Sequence, residues 1–198
     1  MLRESDNYRV DMEWNGTRIT TLRTILPKTK AFKALFVGKR PSPESVAEGH
    51  YFRGNQGLSF WNRLREYGIL DFDPLSQYPD DRMVRAGFGI TDIVKTVAKY
   101  TAEPRSKEYD YGVDKFLNDL RLINPRVIVF IYKKVLDEIL KRKARSGFVD
   151  LTGLFAGAKV YVFPVPGTYG VRQGDIARDL SALRDYLRKF DVDGTEIR

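Results

Sequence analysis

The chain has 198 residues, 42% of them hydrophobic and 30% charged, which is typical of a soluble globular protein and long enough for one domain across residues 1–198. Its 34 Lys and Arg against 26 Asp and Glu leave a net charge of +8, which suits a polyanionic partner such as nucleic acid, although a basic surface kept for solubility explains it equally well. The lack of cysteine excludes disulfides, thiolate catalysis and Cys-based zinc sites, and one histidine, His50, does not suffice for an HExxH site, so neither a metal nor a cofactor is expected.

The N-terminal residues predict a β-hairpin. In "YRVDMEWNGTRITTL" the apolar residues alternate around Asn15-Gly16, a strong hairpin signal, and residues 1–27 are interpreted as an N-terminal hairpin or arm. Downstream, buried strands are predicted at residues 32–37, 88–94, 126–132 and 159–163. Helices are predicted at residues 58–67, 113–123, 133–145 and 175–190, with a loop at residues 70–81.

Strands that alternate with helices predict an α/β fold of three layers, α/β/α, with a short, mostly parallel central sheet. In such sheets ligands bind beyond the carboxyl ends of the strands. Three stretches follow the ends of predicted strands and are the candidate ligand-binding loops: "GKRPSPESVAEGHYF", "GFGITD" and "PVPGTYG". Neither "GFGITD" nor "GKRPS" has the spacing of a dinucleotide-binding or Walker A loop.

The first stretch has the features of a binding site for a planar base. A glycine and two prolines stiffen a turn that carries Lys39 and Arg40, and His50, Tyr51 and Phe52 follow. A rigid turn that faces an aromatic ring suits a base, because stacking contributes roughly 1–3 kcal/mol per base. The alternative is that Tyr51 and Phe52 belong to the core.

The third stretch, residues 164–170, lies between a predicted strand and the last predicted helix. Its Tyr169, between Gly167 and Gly170, would stand on an exposed tip and could wedge into a base stack. A simple turn whose tyrosine folds back on the surface is the alternative.

Together these motifs resemble the uracil-DNA glycosylase superfamily, most closely its mismatch-specific uracil/thymine-DNA glycosylase branch. That family's first motif is a strand followed by G-I-N-P-G and then an aromatic that stacks on the flipped base. Placing Gly38 on the first glycine puts Pro41 on the proline and Phe52 on the stacking aromatic. "SFWNRLREYGI", "GFGITDIVK" and "VYVFPVPGTYG" resemble the next helix, the G-x-T segment and the last strand with its N-P-S-G loop, so the similarity runs from about residue 22 to residue 190.

The resemblance implies a monomeric protein whose partner is duplex DNA with a damaged or mismatched base. The residues it implies for base binding are Gly38, Lys39, Pro41, His50 and Phe52. The residues it implies for DNA contact, in the last loop, are Val165, Pro166, Gly167, Thr168, Tyr169 and Arg172.

The chain departs from the family's pattern at polar positions. The family's catalytic asparagine, which positions the attacking water, falls on Arg40, and the asparagine and serine of the last motif fall on Val165 and Gly167. Arg40 stays protonated and cannot act as a general base, but it could stabilise a departing anionic base or hold a phosphate.

A carboxylate would then have to hold the water, and Glu44, Glu48 and Asp92 are the candidates by chain position; Glu48 and Asp92 are taken as catalytic together with Arg40. The alternative for Arg40 is an ion pair with Glu44 or Glu48 that only ties down the loop.

Asp92 lies in "ITDIVK", where a related branch of the superfamily reads I-T-N-V-V-K and uses its asparagine to read uracil. An amide offers a donor and an acceptor, whereas an ionised carboxylate offers acceptors only. Ionised Asp92 would prefer a base edge that presents donors, as guanine and cytosine do, while protonated Asp92 could still read uracil. The alternatives are that Asp92 caps the segment after Thr91 or pairs with Lys95.

The sequence therefore predicts a DNA-repair-type glycosylase that flips a base and hydrolyses its N-glycosidic bond. A catalytically silent nucleic-acid-binding relative, or a nucleoside- or nucleotide-binding enzyme on the same scaffold, is the alternative. No run approaches membrane-spanning length and the N-terminal residues lack an apolar signal region, so a cytoplasmic protein without membrane contact is expected.

Overall fold

Strands and helices alternate along the chain, as the hydrophobic patterning predicts. The computed structural model describes residues 7–29, 31–73, 77–99, 101–151, 153–164 and 173–197. The elements in these ranges are, in chain order, β1 (Arg9–Trp14), β2 (Thr17–Leu22), β3 (Ala31–Gly38), α1 (Pro43–Glu48), α2 (Gly54–Glu66), α3 (Pro79–Arg85), β4 (Phe88–Asp92), α4 (Ser106–Leu120), β5 (Asn124–Phe130), α5 (Lys133–Leu140), β6 (Gly147–Val149), β7 (Lys159–Val162) and α6 (Gln173–Leu187).

Five strands form the central sheet in the order β4-β3-β5-β7-β6. Strand β3 pairs in parallel with β4 and β5, β5 pairs in parallel with β7, and only the edge strand β6 runs antiparallel. The register places Gly38 opposite Asp92 and Val37 opposite Phe130. The loops after β3, β4 and β5 therefore leave the same edge of the sheet, and the prediction of a mostly parallel sheet is confirmed.

Helices cover both faces of the sheet. On one face, Phe36 and Val129 belong to a buried cluster with side chains of α2, α3 and α6. On the other face, Leu35 and Ile128 belong to a second cluster with side chains of α4 and α5. Because both faces are buried, β3 and β5 read as nearly unbroken apolar runs, and the predicted three layers are confirmed. Within the described ranges, no helix has the length and apolar character needed to cross a bilayer.

The predicted N-terminal hairpin is also confirmed. Strands β1 and β2 pair antiparallel, and Asn15 and Gly16 both adopt positive φ, at 49° and 73°, as a two-residue hairpin turn requires. The ring of Trp14 packs edge-on against Tyr111 of α4 at 4.9 Å between centroids. This contact fastens the hairpin to one face of the sheet domain.

Two short helices were missed by the sequence analysis. Helix α1 lies where a proline-rich turn was predicted, and α3 lies partly in the loop predicted at residues 70–81. In each, a proline occupies the first turn, where its missing N–H costs nothing, and acidic residues follow it. Ser42 caps α1, since its Oγ accepts a hydrogen bond from the Ser45 N–H at 3.1 Å. The sequence S-P-E carried this signal.

Other boundaries shifted for local reasons. Helix α2 begins at Gly54 and α4 at Ser106, both earlier than predicted, because their first turns are polar and escape a periodicity search. Helix α5 ends at Leu140 rather than residue 145, because Lys141 adopts a left-handed conformation with φ of 51°. The edge strand β6 was not predicted, since three residues are too few to show alternation.

The only histidine of the chain lies in the core. Its side chain is 2% exposed, and Nδ1 of His50 lies 3.1 Å from both carboxylate oxygens of the fully buried Asp80. The ring stacks on Tyr78 at 3.7 Å between centroids. Asp80 also accepts a hydrogen bond from the backbone N–H of Tyr51 at 2.8 Å. The start of α3 is thereby joined to the segment that leads into α2.

We expect Asp80→Ala to lower the free energy of unfolding by roughly 2–5 kcal/mol, because it leaves the buried His50 ring and the Tyr51 N–H without an acceptor. Urea unfolding followed by circular dichroism measures the change. Asp185→Ala is the control, since Asp185 pairs with Arg184 at the exposed surface and should leave stability nearly unchanged. Equal effects of the two substitutions would contradict a structural role for the Asp80 carboxylate.

Candidate active site

The loops that follow β3 and β4 are joined to each other by backbone hydrogen bonds. The N–H groups of the second loop donate to carbonyls of the first, in the pairs Ile93 to Gly38 at 3.1 Å, Val94 to Lys39 at 3.1 Å and Ala98 to Pro41 at 3.2 Å. A loop fixed at three points along its length holds its side chains in defined positions. The two candidate loops of the sequence analysis thus form one rigid floor.

A cavity of about 370 Å³ lies above this floor, at the carboxyl ends of the parallel strands. This is where ligands bind in open α/β sheets. Side chains from several elements line it, among them Arg40, Glu44, Tyr51, Phe52, Asp92 and Tyr132.

Gly38 allows Asp92 and Phe52 to meet. A Cβ atom at Gly38 would overlap Oδ1 of Asp92 and would lie 3.4 Å from Cε1 of Phe52. The carboxylate of Asp92 and the edge of the Phe52 ring therefore both lie against the bare backbone of Gly38. The glycine is required for close approach of these side chains, in addition to the sharp turn predicted from the sequence.

Phe52 is held in an unusual backbone conformation. Its φ is 53°, a region that bulky residues rarely adopt, and its carbonyl accepts a hydrogen bond from Nε1 of Trp61 at 3.2 Å. A side chain at Gly57 would collide with that carbonyl. The half-buried ring packs on Phe60 at 4.8 Å between centroids. Strain of this kind is typical of ligand-binding positions, where surrounding contacts hold the residue.

Asp92 is a buried carboxylate with a free oxygen. It is 4% exposed, and its Oδ1 has no hydrogen-bond partner among the described residues. Burial raises the pKa of Asp92 from 3.8 to about 7, although the charges of Lys95 and Arg40 act in the opposite direction. Near neutral pH the side chain therefore exists in both protonation states, one that can donate a hydrogen bond and one that only accepts.

Lys95 lies behind Asp92, in a second cavity of about 230 Å³ beneath the hairpin, and Asp92 lines both cavities. The Lys95 ammonium donates to the hydroxyls of Thr24 at 3.3 Å and Thr91 at 3.2 Å. Burial lowers the pKa of Lys95 to about 8, against the opposing effect of Asp92. Each of these two buried groups favours the charged form of the other, because Lys95 lowers the pKa of Asp92 and Asp92 raises the pKa of Lys95.

Arg40 is held by α4 and the loop before it. Its Nε donates to the Thr96 carbonyl at 3.0 Å, and its Nη2 bonds the Thr96 hydroxyl and lies 2.9 Å from Oε1 of Glu108. The side chain is 7% exposed. The alternative of an ion pair with Glu44 or Glu48 is therefore wrong: the arginine does tie down the loop, but through Glu108.

Lys39 is also paired across the fold. Its ammonium lies 2.7 Å from Oε1 of Glu103 and 5.8 Å from the centroid of the Tyr132 ring. Lys39 and Arg40 thus both line the cavity. Their charges are balanced by Glu103, which precedes α4, and by Glu108, which lies in the first turn of α4. The cavity is less positive than the sequence "GKRPS" suggests.

The candidate carboxylates separate into two groups. Glu44 and Asp92 line the cavity, whereas Glu48 is exposed and lies outside its lining, 2.7 Å from Nε of Arg53. The pKa of Glu44 is lowered, first by its own backbone N–H, then by the Ser42 hydroxyl and the charge of Lys99. Glu44 therefore stays ionised at neutral pH.

His50 does not line the cavity, because Asp80 and Tyr78 hold it in the core. His50, Asp80 and Asp81 place ligand atoms within 4.8 Å of one another, a geometry that could hold a metal ion. In this structure Asp80 is hydrogen-bonded to His50 and to the Tyr51 N–H, and Asp81 accepts a hydrogen bond from the Tyr8 hydroxyl at 2.6 Å. The cluster has a structural role here.

The predicted DNA contacts Val165, Pro166, Gly167, Thr168, Tyr169 and Arg172 lie outside the described residues.

A family model for the Uracil DNA glycosylase superfamily matches residues 28–190, which include β3 to α6 and most of the cavity. The chain belongs to the uracil DNA glycosylase superfamily. No curated protein matches the chain significantly. Membership indicates a DNA-glycosylase type of hydrolase in DNA repair, with DNA as its partner. Gly38, Phe52 and Asp92, which lie together at the carboxyl ends of β3 and β4, all fall within the matched residues.

The sequence predicted that Gly38, Pro41, Phe52 and Asp92 belong to one site, and in the structure these residues lie together. It did not assign Tyr51 to the cavity, nor find that Glu103 and Glu108 neutralise the cations of the first loop. No local pattern links residues more than sixty positions apart. Glu44, in contrast, follows a capping serine and a proline, and that signal was readable.

We expect Asp92 to make the protein less stable as pH rises from about 4 to about 7. In this window the folded state binds more protons than the unfolded state, because the folded pKa of Asp92 is raised from 3.8 to about 7. Asp92→Asn should remove this slope and be more stable than wild type near pH 8. Lys95 gives the opposite sign, so stability recovers between about pH 8 and 10.5.

Urea unfolding at stepped pH values measures both slopes. The wild-type curve minus the Asp92→Asn curve isolates the carboxyl and its coupling to Lys95, because titrating groups that do not interact with Asp92 cancel in the difference. A flat difference between about pH 4 and 7 would show that Asp92 ionises normally in the folded protein.

Proposed function

We propose that this superfamily member is a DNA N-glycosylase that flips a damaged or mismatched base, such as uracil, thymine or another deaminated base, out of duplex DNA and hydrolyses its N-glycosidic bond. The observation that carries the proposal is the meeting of a free, buried carboxylate oxygen with an aromatic ring over Gly38, in a cavity at the carboxyl ends of the strands. The protein would act as a monomer.

The cavity suits a single base in size and in chemistry. Its volume of about 370 Å³ falls within the range of about 300–1,000 Å³ typical of small-molecule sites. The Phe52 ring offers a stacking surface, and the hydrogen bond from Trp61 to the Phe52 carbonyl and the packing on Phe60 hold it in place before a base arrives. A preformed stacking surface lowers the entropy cost of binding.

Asp92 would read the edge of the flipped base. With its carboxyl protonated it can donate to a uracil carbonyl, whereas ionised it accepts from donors such as N–H or an amino group. Since the pKa of Asp92 is raised to about 7, both modes are populated near neutral pH. Preference for a keto-type or an amino-type base should therefore change with pH.

The positive net charge of the chain supports binding to DNA. The net charge of +8 favours binding to phosphates and makes that binding weaken as salt rises. The last loop, residues 164–170, is proposed to enter the duplex beside the flipped nucleotide, as the family resemblance implies.

We expect the protein to release uracil, thymine or hypoxanthine from labelled duplexes in which that base is opposite guanine, with alkali revealing the abasic sites. Phe52→Ala should weaken binding of a duplex with a flipped-base analogue by about 5- to 150-fold, the equivalent of about 1–3 kcal/mol. Phe148→Ala is the matched control, because Phe148 is a partly exposed aromatic on β6 outside the cavity lining. If both alanine variants bind as wild type does, Phe52 is a core residue only.

A second candidate function is binding without cleavage. The observation that favours it is the state of Arg40, which occupies the position of the family's water-positioning asparagine and whose guanidinium is engaged by Thr96 and Glu108. An arginine held in this way contributes to the loop's stability and leaves no amide to orient a water.

Arg40→Asn separates the two candidates. If the protein is a silent binder, wild type retains duplexes without cutting them, and Arg40→Asn creates uracil excision. If it is an active glycosylase, wild type cleaves, and Arg40→Asn lowers the melting temperature without raising the cleavage rate, because Glu108 loses the cation it pairs with. Thermal unfolding of both proteins, measured beside single-turnover cleavage, distinguishes a lost fold from a lost activity.

A further inference from the structure

Two carboxylates from different elements of the fold line the candidate active site. Among the described residues of the cavity lining, Glu44 and Asp92 are the acidic ones. Glu44 comes from the first turn of α1 and Asp92 from the end of β4. Hydrolysis of a glycosidic bond needs a group that takes a proton from water and benefits from one that gives a proton to the leaving group.

The environment of Asp92 suits a proton donor. The side chain is buried, its Oδ1 has no hydrogen-bond partner among the described residues, and that oxygen lies against the Gly38 backbone, where the edge of the Phe52 ring also lies. Asp92 and Phe52 both line the cavity, so a base stacked on the Phe52 ring would lie beside the Asp92 carboxyl group. A neutral carboxyl is favoured here because the surroundings of the oxygen offer it no hydrogen-bond donor.

The environment of Glu44 suits a proton acceptor. The side chain is exposed and lines the cavity, so water reaches it, and its own backbone N–H, the Ser42 hydroxyl and the charge of Lys99 favour its ionised form. Arg40 and Lys39, the nearest cations by sequence, are engaged by Glu108 and Glu103 instead. Neither cation pairs with Glu44, whose exposed carboxylate can accept a hydrogen bond from a water in addition to those from Ser42 and its own backbone N–H.

We propose that Glu44 is the general base that deprotonates the attacking water and that Asp92, in its protonated form, is the general acid that protonates the departing base; this inference rests on the proposed glycosylase function. Glu44 would supply the contact with the attacking water that the resemblance assigns to an asparagine, at the position that Arg40 occupies here. Glu44 also replaces Glu48, the carboxylate predicted from the sequence.

The step balances in atoms and charge. Water loses a proton to the Glu44 carboxylate, and its oxygen forms a bond to the sugar C1′ as the bond from C1′ to the base nitrogen breaks. The electron pair of that bond leaves with the base, which receives the Asp92 proton. The products are a neutral free base and an abasic sugar, and the two carboxyl groups return to their starting states by proton exchange with solvent.

The opposite pKa shifts of the two groups support this division, since acid and base roles follow from environments that push two pKa values apart. The pKa of Glu44 is lowered and that of Asp92 is raised to about 7. The charged and titratable side chains around Asp92, from both cavities, are Arg23, Lys39, Arg40, Tyr51, Lys95, Lys115, Asp119 and Tyr132. Those that share the cavity mouth with Glu44 are Arg53 and Lys99.

The test is the pH dependence of single-turnover cleavage by the full chain, on the duplex that wild type cuts best. Wild type should show a rate that falls above about pH 7. Glu44→Gln should lower the rate by about 10²- to 10⁴-fold without weakening duplex binding. Asp92→Asn should lower the rate and abolish the alkaline decline. Glu48→Gln is the matched comparison on the same helix and should keep the wild-type rate, because its carboxylate pairs with Arg53 outside the cavity.

Three results would overturn the inference alone: cleavage by Glu44→Gln at the wild-type rate, an equal loss in Glu48→Gln, or an alkaline decline that persists in Asp92→Asn. Glu44 is exposed, so its variant should fold, and circular dichroism checks this. If wild type cleaves none of the duplexes, the proposed function fails and this inference fails with it.

Discussion

The close approach of Asp92 to the backbone of Gly38 is the constraint on which the site depends. These residues face each other at the ends of two paired parallel strands, and the carboxylate occupies the space where any other residue at position 38 would place its Cβ atom. This approach buries the carboxylate and puts it beside Phe52. Its raised pKa and its free oxygen are both consequences of that position.

Several features of this site destabilise the folded state, and packing elsewhere in the fold compensates for them. A buried, unpaired oxygen, a phenylalanine at positive φ and a buried lysine with a lowered pKa each destabilise the folded state. Two hydrophobic clusters, one on each face of the sheet, supply the opposing free energy. Strained residues persist only where the surroundings over-determine them, and here Trp61, Gly57 and the backbone bonds between loops do so.

Helix α4 and the loop before it govern the charge of the site. Glu103 and Glu108 neutralise Lys39 and Arg40, so a loop that carries two cations becomes a nearly balanced wall. The carboxylates that remain available in the cavity are then Glu44 and Asp92, in contrasting environments. Adjacent lysine and arginine suggest an anion-binding floor, but in the structure both cations are already paired with acids.

The sequence by itself determined the alternating elements, the mostly parallel sheet, the hairpin at Asn15-Gly16 and the meeting of Gly38, Phe52 and Asp92, because apolar periodicity, turn residues and motif order are local or ordered signals. The short helices α1 and α3 were not predicted, because each buries too few residues to show a helical period. Only the tertiary structure decided the partners of Arg40 and the different surroundings of Glu44 and Glu48. Those depend on side chains brought together from distant positions, and on which face of a two-turn helix meets the cavity, neither of which leaves a pattern in the chain.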